Sequence, residues 1–142
     1  MQQWKRTGIR PAVAVWTPAQ TAAFLDAITA HRLYAAYHLI ALRGLRRGEA
    51  CGLRWCDLDL DRQVAHINWQ VQHLGGALVM CPLKTEASRR VLALDATTVQ
   101  ILQRHWQEQQ EYFRAHGITP SGYVFTDADG GPLSPDYLTR TF

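Results

Sequence analysis

A cluster of charged residues in an otherwise apolar stretch is the part of this sequence best suited to chemistry. Arg46, Arg47 and Glu49 lie within four positions, after Gly44 and among small residues that let backbones approach closely. An arginine held against a packed core by an acid is costly to bury. A guanidinium donates two parallel hydrogen bonds to phosphate oxygens, so this cluster suits the binding of a phosphate group.

Helix geometry indicates which arginine would face the phosphate. At a spacing of three residues, Arg46 and Glu49 share one face of a helix, whereas Arg47 points about 100° away from Arg46. Of the two arginines, Arg46 is therefore the better candidate for contacting a phosphate, because it shares a helix face with Glu49. The simpler interpretation of the same spacing is a surface ion pair worth about 0.2–0.5 kcal/mol.

The cysteines and histidines predict no metal site. Cys51 and Cys56 could be combined with His66 or His73, but this spacing fits no standard zinc site. Cys51 lies among apolar and small residues, so we expect buried thiols. Three cysteines at irregular spacing also argue against a disulfide framework and favour a reducing compartment.

Composition is that of an ordinary globular chain with a mild excess of basic residues. The 142 residues are 47% hydrophobic and 19% charged, with a net charge of +3, and the bases are two lysines and thirteen arginines. An arginine excess suits phosphate contacts, although coding bias also produces one. No apolar run is long enough to span a membrane. We expect no secretory signal in residues 1–8, which lack a hydrophobic segment.

The elements that must position the charged cluster are mostly helices. The periodicity predicts helices over about 33–43, 46–53 and 96–116, and capping patterns predict two more, one beginning at Thr17 and one at Ser134. We expect Asp95 to cap the long helix and Gly117 to end it. Its apolar stripe is expected to consist of Val99, Leu102, Trp106 and Phe113.

A change of periodicity after the third helix predicts a small sheet. Apolar and polar residues alternate over Ala65–Val71, which is typical of a half-buried strand. Gly75-Gly76 predicts a turn into a second strand over Ala77–Cys81, and a polar connection leads to a third over Val91–Leu94. The expected fold class is α+β, mainly α with a small three-stranded antiparallel β-sheet.

Two boxes of this sequence resemble signatures of the tyrosine recombinases, the phage integrase family. Gly44–Glu49 followed by Gly52–Asp59 resembles the first signature box of that family. Lys84–Leu94, with the pattern Lys-Thr-x-x-Ser-x-Arg-x-Leu-x-Leu, resembles its lysine-bearing β-hairpin, and residues 125–134 match the approach to its next box. The two boxes in this order and at this distance are specific, and the resemblance covers about residues 13–142.

The resemblance implies a catalytic-domain fold that cuts and rejoins double-stranded DNA through a 3′-phosphotyrosine intermediate, without metal or cofactor. It makes Arg46 the first of two arginines that clamp the scissile phosphate, with Glu49 supporting it, and Lys84 the general acid. It also places four residues near the DNA backbone: Thr85, Ser88, Arg89 and Arg90. Arg47 would face DNA or solvent.

Without the resemblance, these residues have simpler interpretations. Lys84 would be an ordinary loop lysine, and Arg89 and Arg90 a solvated turn. Lys84 is nevertheless the only lysine after Lys5, and arginine does not readily release a proton.

Several parts of the family pattern are not found in these 142 residues. The His-x-x-Arg box, the following histidine or tryptophan and the nucleophilic tyrosine are missing, and Tyr137 comes too early for that role. We expect a basic linker or arm over residues 1–13 and a partial catalytic domain over residues 14–142, inactive alone, without the family's N-terminal core-binding domain. The alternatives are a non-catalytic DNA-binding relic and an unrelated helical interaction module.

The resemblance also implies a cellular setting. We expect a cytoplasmic, nucleoid-associated protein encoded by a bacterium or a phage. Its partner would be double-stranded DNA, on which the full-length parent would form a homo-tetramer, with no membrane or small-molecule partner.

Overall fold

A computed structural model describes residues 17–83, 85 and 88–141 of the chain. The predicted linker at residues 1–13 and the predicted general acid Lys84 therefore lie outside the described residues. The chain divides into two units, residues 1–34 and residues 35–142. Within the described residues, no helix is both long and apolar enough to cross a membrane.

The first unit contains helix α1, Pro18–Ala27. Thr17 caps it, because the Thr17 hydroxyl accepts a hydrogen bond from the Gln20 amide at 3.1 Å. The Gln20 side chain in turn accepts from the Thr17 amide at 2.9 Å, which completes a capping box. The helix start predicted from this Thr-Pro-x-Gln pattern is confirmed.

Helix α2 packs in the interior of the second unit. The helices after α1 are α2, Tyr34–Arg43; α3, Arg47–Gly52; α4, Ala96–His116; and α5, Pro135–Thr141. The Tyr37 hydroxyl on α2 donates to the Leu138 carbonyl of α5 at 3.0 Å. The His38 Nε2 atom lies 2.9 Å from the Thr98 hydroxyl of α4. Both side chains of α2 are buried, so α2 contacts α4 and α5 through its interior face.

The strands form two small antiparallel sheets. The strands are β1, Leu58–Asp59; β2, Val64–Ile67; β3, Trp69–Leu74; β4, Ala77–Pro82; and β5, Arg90–Ala93. One sheet has the order β1-β2-β5, and the other is the β3-β4 hairpin. The predicted turn at Gly75 and Gly76 joins β3 to β4, and both glycines have positive φ angles of 57° and 82°.

The expected α+β class is confirmed, but the single predicted strand over residues 65–71 is wrong in one respect. The chain breaks at Asn68, so the first half pairs with β5 and the second half with β4. The Asn68 carbonyl accepts a hydrogen bond from the Leu83 amide at 3.0 Å, at the point where the two sheets part. The result is a three-stranded sheet plus a hairpin.

Helix α4 has the predicted bounds, with Asp95 as its cap and Gly117 in the left-handed conformation at its end. Its predicted apolar stripe is wrong at Trp106, which is 45% exposed. Gln109 is buried instead. Its amide donates to the Val124 carbonyl at 3.0 Å, and its oxygen accepts from the Trp55 indole at 2.9 Å. A backbone carbonyl faces α4 here, and a glutamine can satisfy it where an apolar side chain cannot.

Candidate phosphate-binding site

Helix α3 is short and begins at Arg47, so Arg46 immediately precedes the helix. Gly44 has a φ angle of 75°, a left-handed conformation that lets the chain turn out of α2. Arg46 follows in an extended conformation as the N-cap residue. The prediction that Arg46 lies within the helix is therefore off by one residue, yet Arg46 and Glu49 still face each other across the first turn.

Two glycines let α3 lie directly on the backbone of β3. A Cβ atom on Gly48 would come within 2.9 Å of the Val71 carbonyl oxygen, and one on Gly52 within 3.0 Å of the Gln70 Cα atom. Between them, Ala50 and Cys51 are fully buried. This close contact fixes α3, and with it Arg46, to the hairpin.

Cys51 is a buried thiol, as the sequence predicted. Its burial raises the pKa of the thiol to about 12, so the side chain stays neutral and unreactive near neutral pH. Among the residues that the structure describes, no group of three or more histidine, cysteine or acidic side chains could hold a metal ion.

Glu49 is the buried acid at the centre of the site. Its side chain is 0% exposed and accepts four hydrogen bonds. The Arg46 amide donates to Oε1 at 3.0 Å, and the Arg90 guanidinium donates to both oxygens at 2.9 and 3.0 Å. Burial alone would raise the pKa of Glu49, but the bonds from Arg90 and the Arg46 amide outweigh it and lower the pKa. The carboxylate is therefore ionised.

Arg46 presents an exposed guanidinium beside this buried anion. Its side chain is 73% exposed, and its NH1 atom lies 3.5 Å from Glu49 Oε2. Since that contact is long, most of the guanidinium can still receive an anion from solvent. The arrangement suits a phosphate-binding arginine, because the backbone of Arg46 is fixed while its guanidinium is accessible.

Arg90 enters the site from the first residue of β5. Its side chain is 31% exposed, and its pKa is raised by the hydrogen bonds with Glu49. Its NH1 atom also donates to the Ser88 carbonyl at 3.0 Å. Sequence spacing could not reveal this pairing, because 41 positions separate Arg90 from Glu49.

The residues predicted to contact DNA around Lys84 form a turn at the edge of the site. The Thr85 hydroxyl donates to the Ser88 hydroxyl at 2.9 Å, and the Thr85 carbonyl accepts from the Arg89 amide at 3.0 Å. Arg89 is exposed. It lines a shallow cavity of ≈ 370 Å³ with Asn68, Arg90 and Val91. Asn68 was not among the predicted site residues, although a poor strand former within an alternating run was an available signal.

Arg47 lies on a different side of α3 from this cluster. Its guanidinium hydrogen-bonds the Thr139 hydroxyl of α5 and lies 3.9 Å from Asp136 Oδ1. Asp136 Oδ2 is also 3.7 Å from the His73 ring. The structure thus brings together Arg46, Glu49, Arg90 and Ser88, while Arg47 contacts α5. Its proposed contact with DNA stays a prediction.

Known proteins with similar sequences are integrases and recombinases from bacteria. An integrase of Streptomyces ambofaciens is 33% identical over 94% of this chain and 35% of its own length. The ICEBs1 integrase of Bacillus subtilis is 28% identical over 92% of this chain and 36% of its own. A XerC-like tyrosine recombinase of Caldanaerobacter subterraneus is 26% identical over 82% of this chain and 34% of its own. The chain thus spans about a third of the length of these relatives.

Solved structures show the same fold. The Tn1549 transposon integrase in complex with transposon right end DNA has a TM-score of 0.68 and 27% identity, over 84% of this chain and 39% of that one. The XerA recombinase has a TM-score of 0.67 at 16% identity, over 89% of this chain and 39% of that one, and shows the fold alone. The phage integrase family matches residues 15–142, nearly the whole sequence. This chain therefore belongs to the phage integrase family and has the fold of a tyrosine recombinase catalytic domain.

Proposed function

We propose that this chain is part of the catalytic domain of a site-specific recombinase that cuts and rejoins double-stranded DNA through a 3′-phosphotyrosine intermediate. The observation that carries the proposal is the exposed Arg46 guanidinium anchored beside the fully buried Glu49 carboxylate. Family membership supports it, as does the DNA bound in the Tn1549 integrase structure. Membership of the family also excludes the unrelated helical module.

Arg46 acts in this proposal as one clamp on the scissile phosphate. Negative charge builds on the non-bridging oxygens as the nucleophile attacks, and a positioned guanidinium stabilises it without reorganising. The hydrogen bond from the Arg46 backbone amide to Glu49 fixes the backbone of Arg46, while the exposed guanidinium contacts the phosphate. Losing one such donor costs about 10²–10³ in rate.

Lys84 supplies the proton for the departing 5′-oxygen in this proposal. An alkoxide is a poor leaving group, so a general acid lowers the barrier to strand cleavage. The role rests on the sequence resemblance, with Thr85, Ser88 and Arg89 near the DNA backbone. Thr85 directly follows Lys84 and forms a hydrogen-bonded turn with Ser88.

The 142-residue chain does not cleave DNA alone in this proposal. Its sequence contains no His-x-x-Arg box, so a second clamp arginine and the nucleophile would come from further sequence in a longer polypeptide. That polypeptide would act as a homo-tetramer in the bacterial cytoplasm, bound to the nucleoid. The remaining alternative is a relic that binds DNA without cleaving it.

A suicide DNA substrate, nicked so that religation is blocked, tests the proposal. The full-length recombinase containing this chain should form a covalent protein–DNA adduct, and Arg46→Ala should slow its formation about 100-fold or more. Arg104→Ala, which removes an exposed arginine from α4, is the matched control and should react normally. The 142-residue chain should form no adduct. A trapped adduct on that chain, or normal cleavage by Arg46→Ala, would contradict the proposal.

A further inference from the structure

We infer that Arg90 is a positioning residue that orients Arg46 through Glu49, rather than a contact to the DNA backbone. The inference rests on the proposed function, because it concerns how the clamp arginine is aimed. It also replaces the role that the resemblance gave to Arg90. Three observations carry it: the geometry of the Arg90 fork, the sharing of both Glu49 oxygens, and the bond from the second NH1 hydrogen of Arg90 to the Ser88 carbonyl.

Arg90 fixes the plane of the Glu49 carboxylate. Its NH2 atom donates to Oε1 at 2.9 Å and its NH1 atom to Oε2 at 3.0 Å, which is a bidentate fork. Two parallel bonds remove the rotation that a single bond would leave. Because Glu49 is 0% exposed, no water competes for those oxygens.

Each of the two oxygens that Arg90 fixes also contacts Arg46. Oε1 accepts from the Arg46 amide at 3.0 Å, and Oε2 lies 3.5 Å from Arg46 NH1. The 3.0 Å bond fixes the backbone of Arg46, whereas the 3.5 Å contact leaves the guanidinium of Arg46 exposed. Arg90 is the nearer of the two arginines that contact Glu49, at 2.9 Å against 3.5 Å for Arg46. Without Arg90, the buried carboxylate would have only Arg46 as a cation among the described residues, and it would draw that guanidinium inward, away from a phosphate.

Three of the five N–H donors of Arg90 are directed at groups within the protein. NH1 carries two hydrogens, and they go to Glu49 Oε2 and the Ser88 carbonyl, at 3.0 Å each. The same guanidinium therefore ties β5 to α3 and holds the end of the Thr85–Ser88 turn. Arg89, the neighbouring arginine, is exposed and has the accessible head that a DNA contact needs.

A DNA substrate with a methylphosphonate linkage at the cleavage site can show whether Arg90 acts by positioning Arg46 or in another way. Replacing one non-bridging oxygen by methyl removes the charge that a clamp arginine stabilises, so a defect that acts through Arg46 should shrink on this substrate. Adduct formation by the full-length recombinase is measured at saturating DNA on the phosphodiester and on the methylphosphonate, for wild type, Arg46→Ala, Arg90→Ala and Arg90→Lys. Arg90→Lys keeps the charge but cannot form the fork, and it covers the case in which Arg90→Ala does not fold.

The expected result is that both Arg90 variants slow adduct formation about tenfold or more on the phosphodiester and about threefold or less on the methylphosphonate. Their DNA affinity should stay near that of wild type. An equal loss on both substrates would overturn the inference, since a purely structural role predicts it. A loss of DNA affinity in both Arg90 variants would overturn it in favour of a DNA contact. Failure of the proposed function looks different: wild type forms no adduct, or the Arg46→Ala defect is the same on both substrates.

Discussion

At the scale of single residues, the site depends on one buried carboxylate. The lowered pKa of Glu49 means that its folded form holds the charge more firmly than the unfolded chain does. Its contribution to stability is therefore present above the unfolded value of about 4.5 and is lost as pH falls through the lower folded pKa. Acid should weaken the link between α3 and β5 before it affects the apolar core.

Glu49→Gln tests this linkage. The amide leaves Arg90 without its counter-charge, and we expect a loss of about 3 kcal/mol in the free energy of unfolding near neutral pH. That is the lower end for breaking a buried pair, because Arg90 is partly exposed. Urea unfolding at several pH values should show the difference from wild type shrinking as pH falls through the folded pKa of Glu49.

Glu111→Gln is the matched control, since Glu111 is exposed on α4. It should change stability by less than about 0.5 kcal/mol at any pH. A Glu49→Gln difference that stays constant down to acid pH would show that the carboxylate charge contributes nothing.

At the scale of elements, the contact between α3 and β3 sets where Arg46 lies. Gly52→Ala should destabilise the protein by about 1–3 kcal/mol, because the new Cβ atom would meet the Gln70 backbone at 3.0 Å. A backbone atom cannot rotate away as a flexible side chain can. Gly131→Ala is the control, as its Cβ atom would make an ordinary contact at 3.5 Å with the Asp127 side chain. Equal unfolding free energies for the two variants would show that α3 has room to shift.

The elements that could be predicted from sequence are those whose signals are local. The capping box at Thr17, the Gly75-Gly76 turn and the α4 caps each involve residues a few positions apart, and all three are confirmed. The exposure of Trp106 had no such local signal, and the break at Asn68 had only a weak one, a poor strand former within an alternating run. They depend on which strand or carbonyl lies opposite, and that partner is distant in sequence.

In the candidate site, too, the local contact could be predicted from the sequence and the long-range contact could not. The Arg46–Glu49 contact follows from a spacing of three residues and could be predicted, although as a helix-face pair rather than as a cap. The fork from Arg90 could not, because it joins α3 to β5 and depends on the whole fold. The family pattern included Arg90 in the lysine-bearing motif and did not indicate that the partner of Arg90 is a buried acid, Glu49.

At the scale of the whole molecule, the charge is modest and its placement matters more than its amount. A net charge of +3 on 142 residues gives only weak general attraction to DNA. Binding should therefore depend on a few arginines near the site. Each phosphate contact releases counterions, so the logarithm of the affinity falls with the logarithm of salt concentration with a slope set by the number of contacts.

Arginine variants of the 142-residue chain can locate that interface. Arg89→Ala should weaken binding to duplex DNA and lower the slope of log affinity against log salt concentration by about 1. Arg89 is exposed and lines the shallow cavity that also contains Arg90. Arg104→Ala removes the same charge from the exposed face of α4 and should leave the slope unchanged. Fluorescence anisotropy across a series of salt concentrations measures both slopes. If both variants lower the slope by the same amount, DNA is attracted by net charge alone. Arg89, beside the Thr85–Ser88 turn, is then not part of the contact surface.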